Sequence, residues 1–133
     1  MSEPPRFLGL EEVLELHERL VERFGGSHGL RDLGMLESAV AMPEAGFADS
    51  YLHNDIFEMA AAYLFHIVMN HPFIDGNKRT GTQAALVFLA DNGYAVTLSQ
   101  DDKYDLVIGV CEGAITKKAL AAAFRDNSAA FGE

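Results

Sequence analysis

The chain has 133 residues, a formal net charge of -10 and a single cysteine, and 49% of its residues are hydrophobic. This length suits one compact domain, 1–133, and the apolar fraction excludes a disordered chain. Such an acidic surface argues against nucleic-acid binding, and no apolar run approaches the ~20 residues that span a bilayer. One cysteine cannot form an internal disulfide, and the first residues show no signal-peptide pattern. We therefore predict a cytoplasmic protein that is a monomer when free.

Two helices are predicted first, followed by a loop. The apolar spacing of LEEVLELHERLVERF, a face that includes His17, predicts an amphipathic helix that stops at Gly25 and Gly26. The stretch RDLGMLESAVAM predicts a shorter helix that ends before Pro43. The mixed stretch EAGFADSYLHN, which contains His53, predicts an exposed loop that can include extended backbone. Neither histidine has metal-ligand spacing to acidic residues, so an exposed or face-filling role suffices for both.

Two central helices dominate the middle of the chain. The stretch DIFEMAAAYLFHIVM is apolar nearly all round and rich in Ala, Met and Leu, which predicts a buried helix. TGTQAALVFLADNG predicts a second buried helix. YAVTL then predicts a short strand, and QDDKYDLVIGVCEG and KKALAAAFRDN predict two further helices, with Cys111 buried and inert in the first. The sum is an all-α bundle with two buried central helices and room for a short β-hairpin or flap.

The turn between the central helices carries HPFIDGNKRTG, residues 71–81. Its Lys78 and Arg79 are the only Lys or Arg residues between Asp32 and Asp102, a stretch with many acids. Those acids are Asp32, Glu37, Glu44, Asp49, Asp55, Glu58, Asp75, Asp91, Asp101 and Asp102. The ordinary interpretation of two adjacent cations is a solvated pair, but their isolation calls for a local reason.

The position of the two cations suggests that reason. The second central helix is predicted to start near Asn77, with Asp75 or Asn77 as its N-cap. A helix start carries free N–H groups and partial positive charge, so cations in the first turn are unfavourable unless an anion joins them. Together with the flexible Gly76, Lys78 and Arg79 therefore predict a phosphate-binding site.

The remaining polar residues of the turn have two interpretations each. Asp75 is either a plain helix cap or a ligand of the Mg²⁺ that accompanies polyphosphates. His71 is either a hydrogen-bonded structural residue or a general base for a hydroxyl that attacks the phosphate, and its place beside an anion site favours the second. Phe73 is predicted to anchor the turn in the core. A metal pair of His66 and His71 has poor ligand spacing, so His66 is predicted to be a core or supporting residue.

The motif HPFIDGNKRTG resembles the signature of the Fic/Doc family, specifically its Doc (death-on-curing) toxin branch. GLRDLGMLESAVAMP, AAAYLFHIVMN and ALVFLADNGYAV also resemble that family, so the resemblance covers roughly Phe7 to Phe124. It implies a helical fold around the motif and transfer of part of a nucleoside triphosphate onto a protein hydroxyl. The segment from Phe47 to His53 matches the flap that steadies the target.

The resemblance also implies roles for the motif residues. His71 matches the general base and Asp75 the Mg²⁺ ligand. Gly76 and Asn77 shape the anion hole and position phosphates, and Lys78 and Arg79 hold phosphate charge. The implied catalytic residues are His71, Asp75, Asn77 and Arg79.

Two departures from the family pattern refine the expected reaction. AMP-transferring Fic enzymes typically have glycine where this chain has Lys78, and a second arginine where it has Thr82. Doc-type proteins with this lysine transfer the γ-phosphate of ATP to translation elongation factor Tu. The resemblance thus implies a kinase-like toxin that uses ATP and Mg²⁺ and blocks translation. The alternatives are AMP or NMP transfer, a non-catalytic nucleotide- or partner-binding module and, more distantly, a zinc hydrolase.

The resemblance further implies a separately encoded antitoxin. Self-restraining Fic proteins carry an inhibitory helix of the form Ser/Thr-x-x-x-Glu-Gly/Asn. Here Glu112-Gly113 has Ile108 four residues before the glutamate, so the pattern is not met. Control by a second protein is the better interpretation.

Overall fold

The computed structural model describes residues 4–131, in which six α-helices pack around one core. The helices are α1 (Leu10–Phe24), α2 (Leu33–Ala41), α3 (Ile56–Asn70), α4 (Asn77–Asp91), α5 (Gln100–Cys111) and α6 (Lys117–Asp126). One cluster of buried hydrophobic residues includes members of all six helices. The predicted all-α fold is confirmed, and the predicted domain 1–133 extends past the described residues at both ends.

Two small antiparallel sheets complete the fold. Strands β1 (Gly46–Phe47) and β2 (Ser50–Tyr51) form a hairpin in the stretch predicted as an exposed loop. Strand β3 (Tyr94–Val96) is the predicted YAVTL strand, and it pairs with β4 (Ser128–Ala130). The sequence did not predict β4, because SAA lacks the β-branched and aromatic residues that are typical of strands.

Helices α3 and α4 form the centre of the bundle, and α3 also packs against α2 and α6. Small residues allow the two central helices to approach closely. A Cβ atom added to Gly81 on α4 would lie 3.1 Å from Cγ2 of Val68 and 3.2 Å from the Leu64 carbonyl oxygen, both on α3. This close packing fixes the relative position of the C-terminus of α3 and the N-terminus of α4, where the motif lies.

Most helices begin at a side-chain cap, and α4 is an exception. The side chains of Asp32, Asp55, Ser99 and Thr116 accept backbone N–H groups at the starts of α2, α3, α5 and α6. The N-cap of α4 is Gly76 with φ 80°. The predicted cap, Asp75 or Asn77, is therefore wrong: Asp75 bonds the N–H of Gly76 itself, and the Asn77 amide turns back to Phe73.

The segment before α1 is anchored to the core by one buried hydroxyl. The hydroxyl of Tyr63 on α3 accepts the N–H of Leu8 at 2.8 Å and donates to the Leu8 carbonyl at 3.3 Å. Both residues are buried, and burial raises the pKa of Tyr63. A neutral hydroxyl thus satisfies two backbone groups that would otherwise be buried without partners.

Two further expectations concern the burial of single side chains. Cys111 is exposed, because it is the last residue of α5 and lies one position past Val110, which faces the core. Of the two expected roles, exposed or face-filling, the buried one applies, because His17 and His53 are both almost fully buried. Nε2 of each imidazole has a polar partner, whereas Nδ1 of His53 is buried without one among the described residues. No helix within residues 4–131 is long and apolar enough to cross a membrane.

Candidate active site

The loop of residues 71–76 connects α3 to α4 and changes the chain direction at two left-handed residues. His71 ends α3 with φ 50° and ψ 53°, and its N–H bonds the Ile67 carbonyl at 3.2 Å. Gly76 precedes α4 with φ 80°. A left-handed conformation is uncommon for a residue other than glycine and persists where the surroundings enforce it. At His71 part of those surroundings comes from outside the motif.

A segment some 40 residues upstream holds the loop by backbone hydrogen bonds. The N–H groups of Arg31 and Asp32 both donate to the Pro72 carbonyl, at 2.7 and 3.0 Å. The N–H of Ile74 donates to the Gly29 carbonyl at 3.1 Å. These bonds satisfy the polar backbone of the loop and fix its path.

The side chain of Arg31 adds two hydrogen bonds to the backbone at the start of the loop. Its Nε donates to the His71 carbonyl at 2.6 Å and its Nη2 to the Asn70 carbonyl at 2.9 Å. The guanidinium therefore binds the last carbonyls of α3, where the helix dipole favours a cation. Sequence reasoning missed this role, although Arg31 lies in a stretch that resembles the Fic/Doc family.

Asn77 links the backbone of the loop to the imidazole of His71. Its Oδ1 accepts the N–H of Phe73 at 2.9 Å, and its Nδ2 donates to the Phe73 carbonyl at 3.0 Å. These two bonds fix which end of the amide is the donor, and Nδ2 also lies 3.2 Å from Nδ1 of His71. Nδ1 therefore accepts a hydrogen bond, so in the neutral imidazole the proton is on Nε2.

His17 on α1 contacts the loop through both its ring face and its Nε2 atom. Its ring stacks on Phe73, with ring centroids 3.8 Å apart, and both side chains are buried. Its Nε2 lies 2.7 Å from the Asp75 carbonyl oxygen, so Nε2 carries a proton and donates it to that carbonyl. Gly76 packs above the same ring, where a Cβ atom would lie 3.6 Å from it. His17 thus positions Asp75 and Gly76, a role that sequence spacing did not indicate.

The carboxylate of Asp75 is exposed and partly engaged. Oδ1 accepts the N–H of Gly76 at 3.0 Å, and Oδ2 accepts the N–H of Ser27 at 3.3 Å. Gly26 leaves room for this carboxylate, since a Cβ atom there would lie 2.8 Å from Oδ2. Each oxygen retains acceptor capacity, which suits a Mg²⁺ ion that takes one carboxylate together with phosphate and water oxygens.

A closed protein-only metal centre does not form in the described part of the chain. Residues 4–131 contain no group of three or more His, Cys, Asp or Glu side chains that could hold a metal. His66, considered above as a partner for His71, instead lies 3.1 Å from Nζ of Lys117. This arrangement gives no support to a zinc hydrolase, whose metal needs three protein ligands.

Lys78 and Arg79 are exposed in the first turn of α4, which contains no acidic residue. Neither side chain forms an ion pair with any residue that the structure describes. The guanidinium of Arg79 lies over the ring of Phe24 at 4.4 Å, a cation–π contact with the end of α1. The two cations of the motif are thus available to an external anion.

The backbone at the start of α4 adds donors to the same place. The first hydrogen bond of the helix runs from the Thr80 N–H to the Gly76 carbonyl at 3.0 Å. The N–H groups of Asn77, Lys78 and Arg79 therefore have no partner within the helix. Free amides, the positive end of the dipole and two cations form an anion-binding site.

The Fic/DOC family model matches residues 7–89, more than half of the chain and the whole of the loop. The chain belongs to the Fic/Doc family. It is 34% identical over 120 residues to the protein kinase doc of Escherichia phage P1, covering 90% of this chain and 94% of that protein. It is 40% identical over 78 residues to the toxin Doc of Mycolicibacterium smegmatis, covering 59% of this chain and 60% of that protein. These similarities assign this Fic/Doc protein to the Doc branch, as its motif predicted.

Proposed function

We propose that this Fic/Doc protein is a Doc-like toxin that transfers the γ-phosphate of ATP to a hydroxyl group of a protein target. The observation that carries the proposal is the pair Lys78 and Arg79, free of ion pairs within the described residues, at the open start of α4. These cations directly follow the short loop that carries a carboxylate and an imidazole. Its similarity to a protein named as a kinase supports the same reaction.

Residues of the loop and of the first turn of α4 have different roles in binding MgATP. Lys78, Arg79 and the free amides of α4 bind the phosphate oxygens, and Gly76 keeps the approach to those amides open. Asp75 holds Mg²⁺, which when bound neutralises phosphate charge during transfer. In phosphoryl transfer most catalysis comes from positioning and charge stabilisation. The hydrogen bonds from residues 29–32 fix the position of the loop, and Lys78 and Arg79 supply positive charge.

His71 removes the proton of the attacking hydroxyl. The oxygen of that hydroxyl then forms a bond to the γ-phosphorus, the bond from this phosphorus to the bridging oxygen breaks, and ADP leaves. In the described geometry the imidazole lone pair is on Nδ1, which the Asn77 N–H occupies. Proton uptake therefore requires this N–H to leave Nδ1, either directly or through a tautomer change that frees Nε2.

The target we propose is translation elongation factor Tu, whose modification would block translation in the cytoplasm. The β1–β2 hairpin supports binding of a protein, because Phe47 is 89% and Leu52 63% exposed on or beside it. We propose a separately encoded antitoxin as the second partner, in keeping with the similarity to a protein named as a toxin. The free chain is proposed to be a monomer, and its net charge of -10 argues against a nucleic-acid target.

The test is transfer of label from ATP to purified elongation factor Tu. Two reactions contain ATP labelled at either the γ- or the α-phosphate, and a third contains γ-labelled ATP with the His71→Ala variant. Label from the γ-position alone, lost in the variant, is expected. Label from the α-position alone would show AMP transfer instead. Absence of transfer to elongation factor Tu and to all proteins of a cell lysate would leave only a non-catalytic binding module.

A further inference from the structure

A second cluster of ionisable groups lies outside the motif, where α6 meets α3. Lys117 is the first residue of α6, and its Nζ lies 3.2 Å from Nε2 of His53 and 3.1 Å from Nε2 of His66. His66 is on α3, and His53 follows the β1–β2 hairpin. His53 is buried, whereas His66 and Lys117 are half-buried. The proposed phosphate transfer uses none of the three.

The surroundings of Lys117 lower the pKa of its amine. Burial lowers its pKa from the ordinary value. Burial, and the positive charge of Lys117 when it is protonated, lower the pKa of both histidines. The N-terminus of α6 also disfavours a cation. Against these effects stand the ring of Phe65, 6.0 Å from Nζ, and the carboxylate of Glu58, which raises the pKa of Lys117.

The carboxylate of Glu58 also interacts with groups other than Lys117. Its Oε1 accepts the N–H of Asn54 at 3.0 Å, and its Oε2 lies 3.8 Å from Nη2 of Arg125. The carboxylate therefore has competing partners and forms no hydrogen bond with Lys117 within the described residues.

The hydrogen bonds of Nζ are compatible with the neutral form of the amine. The two imidazole nitrogens are its hydrogen-bond partners among residues 4–131. A neutral amine has two N–H groups, one for each imidazole, and keeps its lone pair. The arrangement thus leaves a nucleophilic lone pair beside two bases, as in amines activated for catalysis or modification.

A cavity gives small molecules access to this amine. It measures about 290 Å³ and is lined by His53, Asn54, Glu58, Lys117, Lys118 and Ala121. We propose that Lys117 is a modification site that is acylated by small activated acyl donors of the acyl phosphate class. The volume admits a donor of a few heavy atoms, and Lys118 on the rim attracts its anionic leaving group.

The reaction is an acyl transfer without redox change. The Nζ lone pair forms an amide bond to the carbonyl carbon of the donor, and the bond from this carbon to the phosphate oxygen breaks. Inorganic phosphate leaves with the electron pair of that bond. The proton released by Nζ passes to Nε2 of His53 or His66 and from there to water.

The test compares Lys117 with its neighbour Lys118, which lies on the same helix and is exposed. The full chain is incubated with acetyl phosphate from pH 6.5 to 9, and fragment-ion mass spectrometry measures acetylation after digestion by a protease that does not cleave at lysine. At pH 7 Lys117 is expected to react at least about fivefold faster, since each unit of pKa depression gives roughly tenfold more free amine. The ratio is expected to shrink as pH rises. Equal rates, or a faster Lys118, would overturn the proposal.

A histidine variant tests the proton transfer separately. His66→Gln removes one basic nitrogen and is expected to reduce the Lys117 to Lys118 ratio at least about twofold, since one of two acceptors is lost. His28→Gln is the matched control, because His28 is exposed and pairs with Glu18 elsewhere. A ratio that both variants leave unchanged would contradict the role of His66. The comparison within the unmodified chain remains decisive if His66→Gln does not fold.

Discussion

The Nδ2 atom of Asn77 lies 3.2 Å from Nδ1 of His71, and the same amide is fixed at both ends by the backbone of Phe73. Asn77 is buried, so water does not compete for the hydrogen bonds that fix this orientation. One side chain therefore sets both the shape of the loop and the tautomer of the proposed base.

Asn77→Asp is expected to reverse that tautomer. A carboxylate accepts a proton from Nδ1 and cannot donate to it, so the neutral imidazole should carry its proton on Nδ1 instead of Nε2. The Phe73 carbonyl also loses its donor, which should lower the free energy of unfolding by about 1–3 kcal/mol. Nitrogen NMR of the His71 ring measures the tautomer. Asn92→Asp, which changes an asparagine remote from His71, should leave the His71 signals unchanged, and an unchanged tautomer in Asn77→Asp would contradict the assignment.

His17→Phe is expected to separate the two contacts of His17. Phenylalanine keeps the stacking on Phe73 but cannot donate to the Asp75 carbonyl. The free energy of unfolding should fall by about 1 kcal/mol, the net value of one hydrogen bond. Asp75 then loses its fixed position, so KM for MgATP should rise at least about threefold, with a smaller change in kcat. The readouts are chemical denaturation and steady-state label transfer. An unchanged KM in a folded variant would show that His17 does not position Asp75.

Tyr63→Phe is expected to destabilise the chain without changing the proposed reaction. The N–H and carbonyl of the buried Leu8 would both lose their partner, which costs about 1–3 kcal/mol of unfolding free energy. Tyr104→Phe is the matched control, because Tyr104 is exposed on α5 and its loss should change stability by less than about 0.5 kcal/mol. Denaturant titration of the three proteins measures the difference. Equal stability of the two variants would contradict the anchoring role of the Tyr63 hydroxyl.

Stability should fall in mild acid because of His66. Burial, followed by the fields of Lys117 and His53, lowers the pKa of His66 from 6.5 to about 4. Between these values the unfolded chain binds more protons than the folded one, so this contribution is complete above pH 6.5 and is lost as pH falls towards 4. Because the side chain is only half-buried, we expect a loss on the order of 1 kcal/mol.

The measurement is denaturant titration at several pH values, with His66→Gln and His28→Gln compared with the unchanged chain. The slope of stability against pH between 4 and 6.5 should be smaller in His66→Gln and unchanged in His28→Gln, whose imidazole is exposed. A His66→Gln slope equal to that of the unchanged chain would show that another group titrates.

The sequence predicted the helices and a candidate site because both depend on local patterns. The apolar stretch after Asp55 and the cap at Asp55 itself define α3, and the proposed phosphate-binding residues lie in one contiguous motif. The supporting contacts were not predictable in this way. His17 is 58 residues from Asp75 in the chain, and Arg31 is 40 residues from His71, so only the packing of α1 and the 29–32 segment reveals them.

Two predictions were wrong, the N-cap of α4 and the burial of Cys111, and each depends on a detail that gives little local signal. A glycine cap at Gly76 makes no side-chain bond, so it gives no local signal at the start of α4. Cys111 was misplaced because one position along a helix separates a buried face from an exposed one, and Val110 takes the buried position.

The central claim is that the loop between α3 and α4, together with the first turn of α4, binds the phosphates of MgATP. Its most direct test is an NMR titration of the free protein with millimolar ATP and Mg²⁺, which follows the backbone amides of Asn77, Lys78 and Arg79. We predict that these three resonances shift in the unchanged chain and shift much less when Lys78 and Arg79 are both replaced by alanine. Resonances that stay in place in the unchanged chain at saturating nucleotide would contradict the claim.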